Sequence, residues 1–285
     1  FIKERFNDQE GILNYFSREI YSEIDDISHP IIRECLKKYK IESPIELCSF
    51  GDNLSGGGLG SSSSFSVCLI KALCKLKNIE ISNIEAAHIA SEIEINKLKK
   101  PIGRQDQYLC SLGGINIIKF NNKNEVKLIQ NKKIINAIKA YVENLYIVNT
   151  GKTRLASTSL GKIKEDPNSY KSIKDIFEIT KNFLNESTNL KEDDLMSFLD
   201  LSIKRTWNIK KHMSGVMNDD LIKFEDKLRS FNLETKKLLG AGGGGYFLVE
   251  YKGQNIIQDL NNLEKENLQI RKIEIENNGA RAWEI

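Results

Sequence analysis

A glycine-rich run followed by four serines is the segment of the chain best suited to bind an anion. It reads SGGGLGSSSS over residues 55–64 and leads into an apolar pattern with helical spacing from Phe65. A helix N-terminus presents unpaired N–H groups and a partial positive charge, which attract phosphate. Serine hydroxyls can donate to phosphate oxygens or ligate magnesium. The run therefore fits a nucleoside triphosphate, although a flexible turn with capping serines is the commoner explanation of such a run in isolation.

Two further segments supply the other parts that phosphoryl transfer needs. A second glycine loop, GAGGGG, covers residues 240–245, and PIGRQDQYLCSLGG places Asp106 in a short turn between a helix and a strand. Phosphoryl transfer requires a phosphate cradle, a metal ion and an oriented nucleophile. Each segment also has a structural explanation: Asp106 can bond its own backbone in a turn, and the glycines can form a tight entry to a strand.

Two better-known phosphate-binding patterns are absent from the sequence. TGKT, residues 150–153, resembles the end of a P-loop, but Tyr146 stands where that motif needs glycine. The sequence also contains neither the H-R-D nor the D-F-G triplet of protein kinases. Any nucleotide site in this chain is therefore of another type.

Composition excludes several other classes of function. The 42 basic and 39 acidic side chains leave a formal charge of +3, without a basic block that would bind nucleic acid. No run of about 18 apolar residues or signal-peptide pattern occurs, so we expect a cytoplasmic protein without membrane partners. The five cysteines include no C-x-x-C pair, and we interpret them as reduced packing residues.

Hydrophobic periodicity predicts a mixture of helices and strands. At 285 residues, the chain is of a size that favours two lobes. Helices are predicted over residues 9–24, 30–39, 65–77, 82–99 and most of 172–231. Strands are predicted at IELCSF, GGINIIKF, LYIVNTG, the segment after GAGGGG, and IRKIEIE. Ser82 and Glu85 form a capping-box pattern, and Pro101 stops the helix that follows.

Three motifs in this order, GGGLGSSSS, GRQDQYLCSLGG and LLGAGGGGYFLV, resemble those of the GHMP kinases. Within that family the chain is most similar to the D-glycero-D-manno-heptose 7-phosphate kinases, a resemblance that extends to NTGKTRLAS and WNIKK. The resemblance implies an α+β, two-lobed fold. Residues 1–142 would form the N-terminal lobe with the phosphate loop, and residues 143–285 a ferredoxin-like C-terminal lobe.

The resemblance also implies roles for individual residues. ATP phosphates would be held by Gly57, Gly58, Leu59, Gly60, Ser61, Ser62 and Ser63. Asp106 would be the catalytic base, and Ser62 would bind Mg²⁺ together with Glu94. The nucleotide and acceptor would be positioned by Gly242, Gly243 and Gly244, and the acceptor would also contact Asp106, Gly151 and Arg154.

Some of these residues have alternatives of their own. Glu94 follows Ala90 and Ala87 on a helix face of small residues and not on the lysine-rich face, which supports the metal assignment; without the resemblance, a solvated helix carboxylate explains it equally well. Lys210 is better explained as a surface charge than as a phosphate ligand.

The implied activity is transfer of the γ-phosphate of ATP, with Mg²⁺, to a sugar phosphate. The expected acceptor is the anomeric hydroxyl of D-glycero-D-manno-heptose 7-phosphate. Two alternatives remain: a kinase of a free sugar such as fucose or galactose, and a nucleotide- or sugar-binding protein without activity. The family's first motif, a strand with an arginine and a glycine-rich turn, is not found and by position would precede Phe1. We expect a small sugar or sugar phosphate as partner, no nucleic acid, and allow for a homodimer.

Overall fold

The computed structural model describes residues 1–51, 57–121, 125–152, 156–254, 263 and 265–284. The chain packs as two compact units. The first unit contains Phe1–Leu54, Gly60–Gly114 and Glu276–Ile285, and the second contains Ser55–Leu59 and Ile115–Ile275. These units differ from the predicted lobes, because residues 115–142 pack with the second unit and residues 276–285 with the first. The predicted division at residue 142 stays a prediction about family domains.

The first unit contains a four-stranded sheet. Its strands are β1 (Ile2–Glu4), β2 (Gly11–Asn14), β3 (Arg18–Tyr21) and β4 (Ile45–Cys48), in the spatial order β1-β4-β2-β3. β1 runs antiparallel to β4, β2 runs parallel to β4, and β2 and β3 form an antiparallel hairpin. The predicted strand IELCSF is confirmed as β4.

The helix predicted over residues 9–24 is wrong, because β2 and β3 occupy this region. Burial alternates along β2, with Gly11 and Leu13 buried and their neighbours half-buried, which is the period of a strand. Ile12 faces Ile20 across the hairpin and Glu46 in β4. Pairing with both β3 and β4 satisfies the backbone hydrogen-bonding groups of β2. The local spacing of apolar residues does not reveal such pairing.

The described residues of the first unit also include four α-helices. They are α1 (Pro30–Lys38), α2 (Ser61–Leu76), α3 (Asn83–Ser91) and α4 (Gln105–Leu112), and a π-helical segment (Glu92–Lys97) continues α3. The predicted capping box is present, since Ser82 and Glu85 exchange hydrogen bonds at the start of α3. One buried apolar cluster joins the sheet to α1, α2 and α3.

The second unit is built around an antiparallel four-stranded sheet. Its strands are β7 (Leu145–Asn149), β8 (Leu233–Leu238), β9 (Tyr246–Tyr251) and β10 (Ile270–Lys272), in the order β10-β7-β9-β8. Numbered along the chain within this sheet, the order is 4-1-3-2, which is that of a ferredoxin-like fold. A separate hairpin contains β5 (Ile117–Phe120) and β6 (Val126–Ile129). The α+β class is therefore confirmed.

Helices account for most of the remaining described residues of the second unit. They are α5 (Lys132–Val142), α6 (Ala156–Glu165), α7 (Ser169–Glu186), α8 (Glu192–Lys210) and α9 (Asp219–Ser230). The helical region predicted over residues 172–231 is confirmed and consists of three helices, α7 to α9. Within the described ranges, no helix combines the length and apolar character needed to cross a lipid bilayer.

Candidate functional site

The serine run begins helix α2, and a glycine stands at its N-terminal boundary. Gly60 is the N-cap residue and has a left-handed conformation, with φ of 74° and ψ of 19°. Gly60 has no side chain to cap the helix, so the N–H groups of the first turn keep no partner within the helix. A Cβ atom at Gly60 would lie 3.4 Å from Cys110 Sγ and 3.5 Å from Asp106 Cβ. The start of α2 therefore lies directly against α4.

Glu94 is a fully buried carboxylate that three side chains of the first unit surround. Ser62 Oγ donates to Glu94 Oε2 at 2.7 Å, and Lys100 Nζ donates to the same oxygen at 2.8 Å. Gln107 Nε2 donates to the other oxygen, Oε1, at 2.9 Å. Burial alone would raise the pKa of Glu94, but Lys100, with help from Gln107 and Ser62, lowers that pKa below its ordinary value. Glu94 is thus a buried, ionised group and not a solvated helix carboxylate.

A local irregularity of the backbone brings Lys100 to Glu94. Residues Glu92–Lys97 form a π-helical turn, a rare feature that is frequent at functional sites. Lys99 then adopts a φ of 53°, and the Lys100 N–H donates to the Glu94 carbonyl at 3.0 Å. The chain reverses direction within a few residues, so the Lys100 side chain returns over the helix that it has just left.

Asp106 lies in the first turn of α4 and not in a turn between a helix and a strand, so that expectation is wrong. The segment QDQYLCSL forms a helix because α4 packs against α2 and α3, which the local sequence does not indicate. Asp106 is exposed at the surface, but the protein atoms around its carboxyl group remove part of its hydration. This desolvation, together with the charge of Glu94, raises the pKa of the carboxyl group. A carboxylate with a raised pKa accepts a proton more readily, which suits a general base.

Gly57, Gly58 and the second glycine loop pack together within the second unit. A Cβ atom at Gly58 would lie 3.1 Å from the Leu239 carbonyl oxygen, and one at Gly240 would lie 2.7 Å from Gly58 Cα. A Cβ atom at Gly245 would collide with the Gly57 carbonyl oxygen. These approaches require glycine for packing between backbones and do not by themselves indicate a ligand.

The predicted nucleotide and acceptor residues of the glycine loop also have contacts within the chain. A Cβ atom at Gly242 would collide with Val216, and the Gly243 N–H donates to the Val216 carbonyl at 2.7 Å. Gly244 has a φ of 152° and approaches the Lys152 carbonyl. The roles of Gly242, Gly243 and Gly244 toward nucleotide or acceptor stay predictions.

The other residues with predicted or considered roles in the second unit are Gly151, Arg154 and Lys210. Gly151 is exposed, has a φ of 68°, and donates its N–H to Asn149 Oδ1 at 2.9 Å. Arg154 lies outside the described residues. Lys210 is more than a surface charge, because its Nζ donates to the carbonyls of Leu238 and Gly240 at 3.1 and 2.6 Å. Lys210 therefore anchors the start of the glycine loop.

The chemistry of Ser62 and Glu94 fits a magnesium ion. Mg²⁺ prefers oxygen ligands and is usually held by one or two protein groups together with phosphates and water. The Ser62 hydroxyl and the Glu94 carboxylate provide two such oxygens 2.7 Å apart at the start of α2. Within the described ranges, no group of three or more His, Cys, Asp or Glu side chains is arranged to hold a metal. A site here would thus depend on the nucleotide for its other ligands.

Lys100 and Gln107 are members of this site that the sequence reasoning missed. Gln107 is fully buried, and its Oε1 has no hydrogen-bond partner among the described residues. Its position next to Asp106, inside the GRQDQ motif, was the available signal. Lys100 carried none, since it stands in the lysine-rich stretch KLKK before Pro101.

Comparison with known proteins relates part of the chain to a kinase domain. Residues 20–114 match the family model described as the GHMP kinases N terminal domain. A D-glycero-alpha-D-manno-heptose 7-phosphate kinase from Campylobacter jejuni is 28% identical in an alignment of 270 residues that covers 91% of this chain and 77% of that protein. A galactokinase from Clostridium perfringens is 36% identical over 77 residues, 27% of this chain and 20% of its own length.

A solved structure extends the similarity to the whole chain. The D-glycero-D-manno-heptose 1-phosphate kinase from Bacteroides thetaiotaomicron superposes with a TM-score of 0.68 at 20% identity, covering 100% of this chain and 86% of that one. At this identity the likeness demonstrates a shared fold. Together with the ordered motifs, these similarities identify a GHMP kinase N-terminal domain in this chain, whose homologues are GHMP sugar kinases, a class of ATP-dependent phosphotransferases.

Proposed function

We propose that this chain is a sugar kinase that transfers the γ-phosphate of Mg-ATP to the anomeric hydroxyl of D-glycero-D-manno-heptose 7-phosphate. The observation that carries the proposal is the grouping of Ser62, Glu94 and Asp106 around the Gly60 N-terminus of α2. Phosphate-binding N–H groups, two oxygen ligands for a metal and a candidate base are the parts that this reaction needs. The choice of acceptor is supported by the Campylobacter relative, whose similarity covers 91% of this chain.

Each group would act on a different part of the transfer. The first-turn N–H groups of α2, with the hydroxyls of Ser61 and Ser63, would hold the phosphates and stabilise the charge that develops on the transferred group. Ser62 and Glu94 would hold magnesium, which neutralises phosphate charge when bound. Asp106 would accept the proton of the sugar hydroxyl. The hydroxyl oxygen would bond to the γ-phosphorus, and ADP would leave.

Substitution of Asp106 tests this assignment. Asp106→Asn removes the proton acceptor and is expected to lower turnover by about 100- to 10,000-fold, because general-base catalysis contributes that much. ATP binding, measured by calorimetry, is expected to stay unchanged. The control is Asp194→Asn, which neutralises an exposed first-turn carboxylate of α8 and should leave turnover intact. Full turnover in Asp106→Asn would exclude Asp106 as the base.

A free sugar is the second candidate acceptor, because 77 residues of the chain are 36% identical to a galactokinase. Release of ADP with heptose 7-phosphate, galactose and fucose separates the two candidates, and phosphorus coupling to the anomeric proton of the product identifies the hydroxyl. Turnover with only the free sugars would replace the proposed acceptor. Nucleotide binding without ADP release for any acceptor would favour a binding protein without activity.

A further inference from the structure

The Lys100 ammonium group binds the same two oxygens that suit a magnesium ion. Lys100 Nζ lies 2.9 Å from Ser62 Oγ and 2.8 Å from Glu94 Oε2, and these two oxygens are themselves 2.7 Å apart. The three atoms thus form a closed triangle of hydrogen bonds. A positive group already lies where a divalent cation would have to bind.

Lys100 approaches this position from the surface. Its side chain is 31% exposed, whereas the Glu94 side chain is 0% exposed. The backbone of Lys100 is held by the hydrogen bond to the Glu94 carbonyl, but its four-carbon stem is flexible. The ammonium group can therefore leave the triangle for water without a change in the backbone, while Glu94 cannot.

Gln107 is the third group bound to Glu94, and it leaves one of its own buried atoms unpaired within the described ranges. Its Nε2 group donates to Glu94, and its buried Oε1 has no partner among the described residues. The opposite amide orientation would place Oε1 against the carboxylate, so the network fixes this one. A buried acceptor without a donor is unfavourable. A hydrogen-bond donor brought by a ligand would satisfy this acceptor.

We propose that Lys100 is a built-in cation that neutralises Glu94 in the nucleotide-free protein and is displaced when a divalent cation binds Ser62 and Glu94. The inference rests on the proposed function, because it adopts the metal ligands assigned there. An ammonium group and a divalent cation repel each other and cannot share the same two oxygens. Lys100 thereby keeps the site assembled but weakens metal binding until the nucleotide supplies further ligands.

Manganese binding to the nucleotide-free protein tests the inference without reference to catalysis. Free Mn²⁺ is measured by electron paramagnetic resonance during a titration. Lys100→Met removes the competing charge and is expected to tighten Mn²⁺ binding at least about tenfold. Lys100→Gln, whose amide can still donate to Glu94, is a second neutral variant and should show the same tightening. The control Lys97→Met, at an exposed position of the same π-helical segment, should not change it.

The variant Glu94→Gln separates this inference from the proposed function. If Glu94→Gln weakens Mn²⁺ binding but neither neutral Lys100 variant tightens it, Lys100 does not compete with the metal, and the inference is overturned while the proposed metal site stands. If Glu94→Gln leaves Mn²⁺ binding unchanged, the metal site of the proposed function is wrong as well. Thermal melting adds a further check, because Mn²⁺ should raise the melting temperature of Lys100→Met more than that of the natural protein.

Discussion

In both units of the protein, charged side chains surround a buried group, and two such clusters, the Glu94 cluster and the Lys236 cluster, differ in how completely they are paired. The Glu94 cluster of the first unit consists of Glu94, Ser62, Lys100 and Gln107. It retains one buried atom, Gln107 Oε1, without a partner among the described residues. The Lys236 cluster of the second unit centres on a lysine whose side chain is 0% exposed.

The Lys236 cluster, which also comprises Asp200, Glu234, Glu250 and Tyr141, is closed by contacts within the second unit. Lys236 Nζ lies 2.6 Å from Asp200 Oδ1, 2.6 Å from Glu250 Oε2 and 3.0 Å from Glu234 Oε2. Tyr141 donates its hydroxyl to Asp200 Oδ1 at 2.6 Å. Burial alone would lower the pKa of Lys236, but the three carboxylates raise it. Burial alone would raise the pKa of Asp200, but hydrogen bonds from Lys204, Lys236 and Tyr141 hold it well below its usual range.

We infer from this difference that the Lys236 cluster contributes to stability, whereas the Glu94 cluster contributes to the proposed metal site. In the Lys236 cluster, the central lysine is paired with carboxylates from strands β8 and β9 and helix α8. Its charge therefore needs no further partner. In the Glu94 cluster the cation reaches solvent, one oxygen acceptor is unpaired, and the cluster adjoins the start of α2. We therefore expect substitutions in the first cluster to change metal binding and turnover, and substitutions in the second to change stability.

The largest expected effect is on stability and comes from Lys236→Met. This change leaves three carboxylates around a buried position without their cation, and the free energy of unfolding should fall by about 3–5 kcal/mol. Turnover of the remaining folded protein should not change. Urea denaturation and a kinase assay provide the two measurements. The control Lys252→Met removes a lysine that is 53% exposed and should cost about 1 kcal/mol or less. If Lys252→Met lowered the free energy of unfolding as much as Lys236→Met does, the burial of Lys236 would not explain its effect.

Glu94→Gln should lower turnover and leave stability nearly unchanged, the opposite of Lys236→Met. Turnover is expected to fall by about 100-fold, because the change removes the charge of the proposed metal ligand. The free energy of unfolding should change little, since the amide keeps hydrogen bonds to its neighbours and Lys100 can turn to water. Glu92→Gln, at a half-exposed position of the same π-helical segment, is the matched control. Unchanged turnover together with a large loss of stability would place Glu94 among purely structural residues.

Two members of the Glu94 cluster, Ser62 and Glu94, could be predicted from the sequence, because both lie in local motifs. The serine run at a helix N-terminus and the small-residue face around Glu94 both follow from short-range spacing. Lys100 could not be predicted, since its position depends on a π-helical turn and a left-handed residue at Lys99. A lysine in a lysine-rich stretch is indistinguishable in sequence from a solvated one.

The second cluster was not predictable for a different reason. Asp200 comes from α8, Glu234 and Lys236 from β8, and Glu250 from β9. A bulge interrupts the pairing of β8 with β9 between Thr235 and Lys237, which places an extra residue, Lys236, opposite the partner strand. The helix predicted over residues 9–24 failed similarly, because pairing with β4 decides that region. Long-range pairing, unlike helix periodicity, leaves little trace in a single sequence.

The smallest expected effect concerns acid stability and tests whether the Lys236 cluster is ionic. The pKa values of Asp200 and Glu234 are lowered in the folded protein, so their contribution to stability is complete above the unfolded values near 4 and is lost as the pH falls toward the folded values. In Lys236→Met these pKa values move back toward normal, although Lys204 still contacts both carboxylates. The stability difference between the natural protein and Lys236→Met should therefore narrow by about 1 kcal/mol between pH 5 and pH 2. Urea denaturation at each pH measures this difference. A difference independent of pH would show that Lys236 stabilises the sheet by packing of its stem, and the contrast between the two clusters would then rest on burial and not on charge.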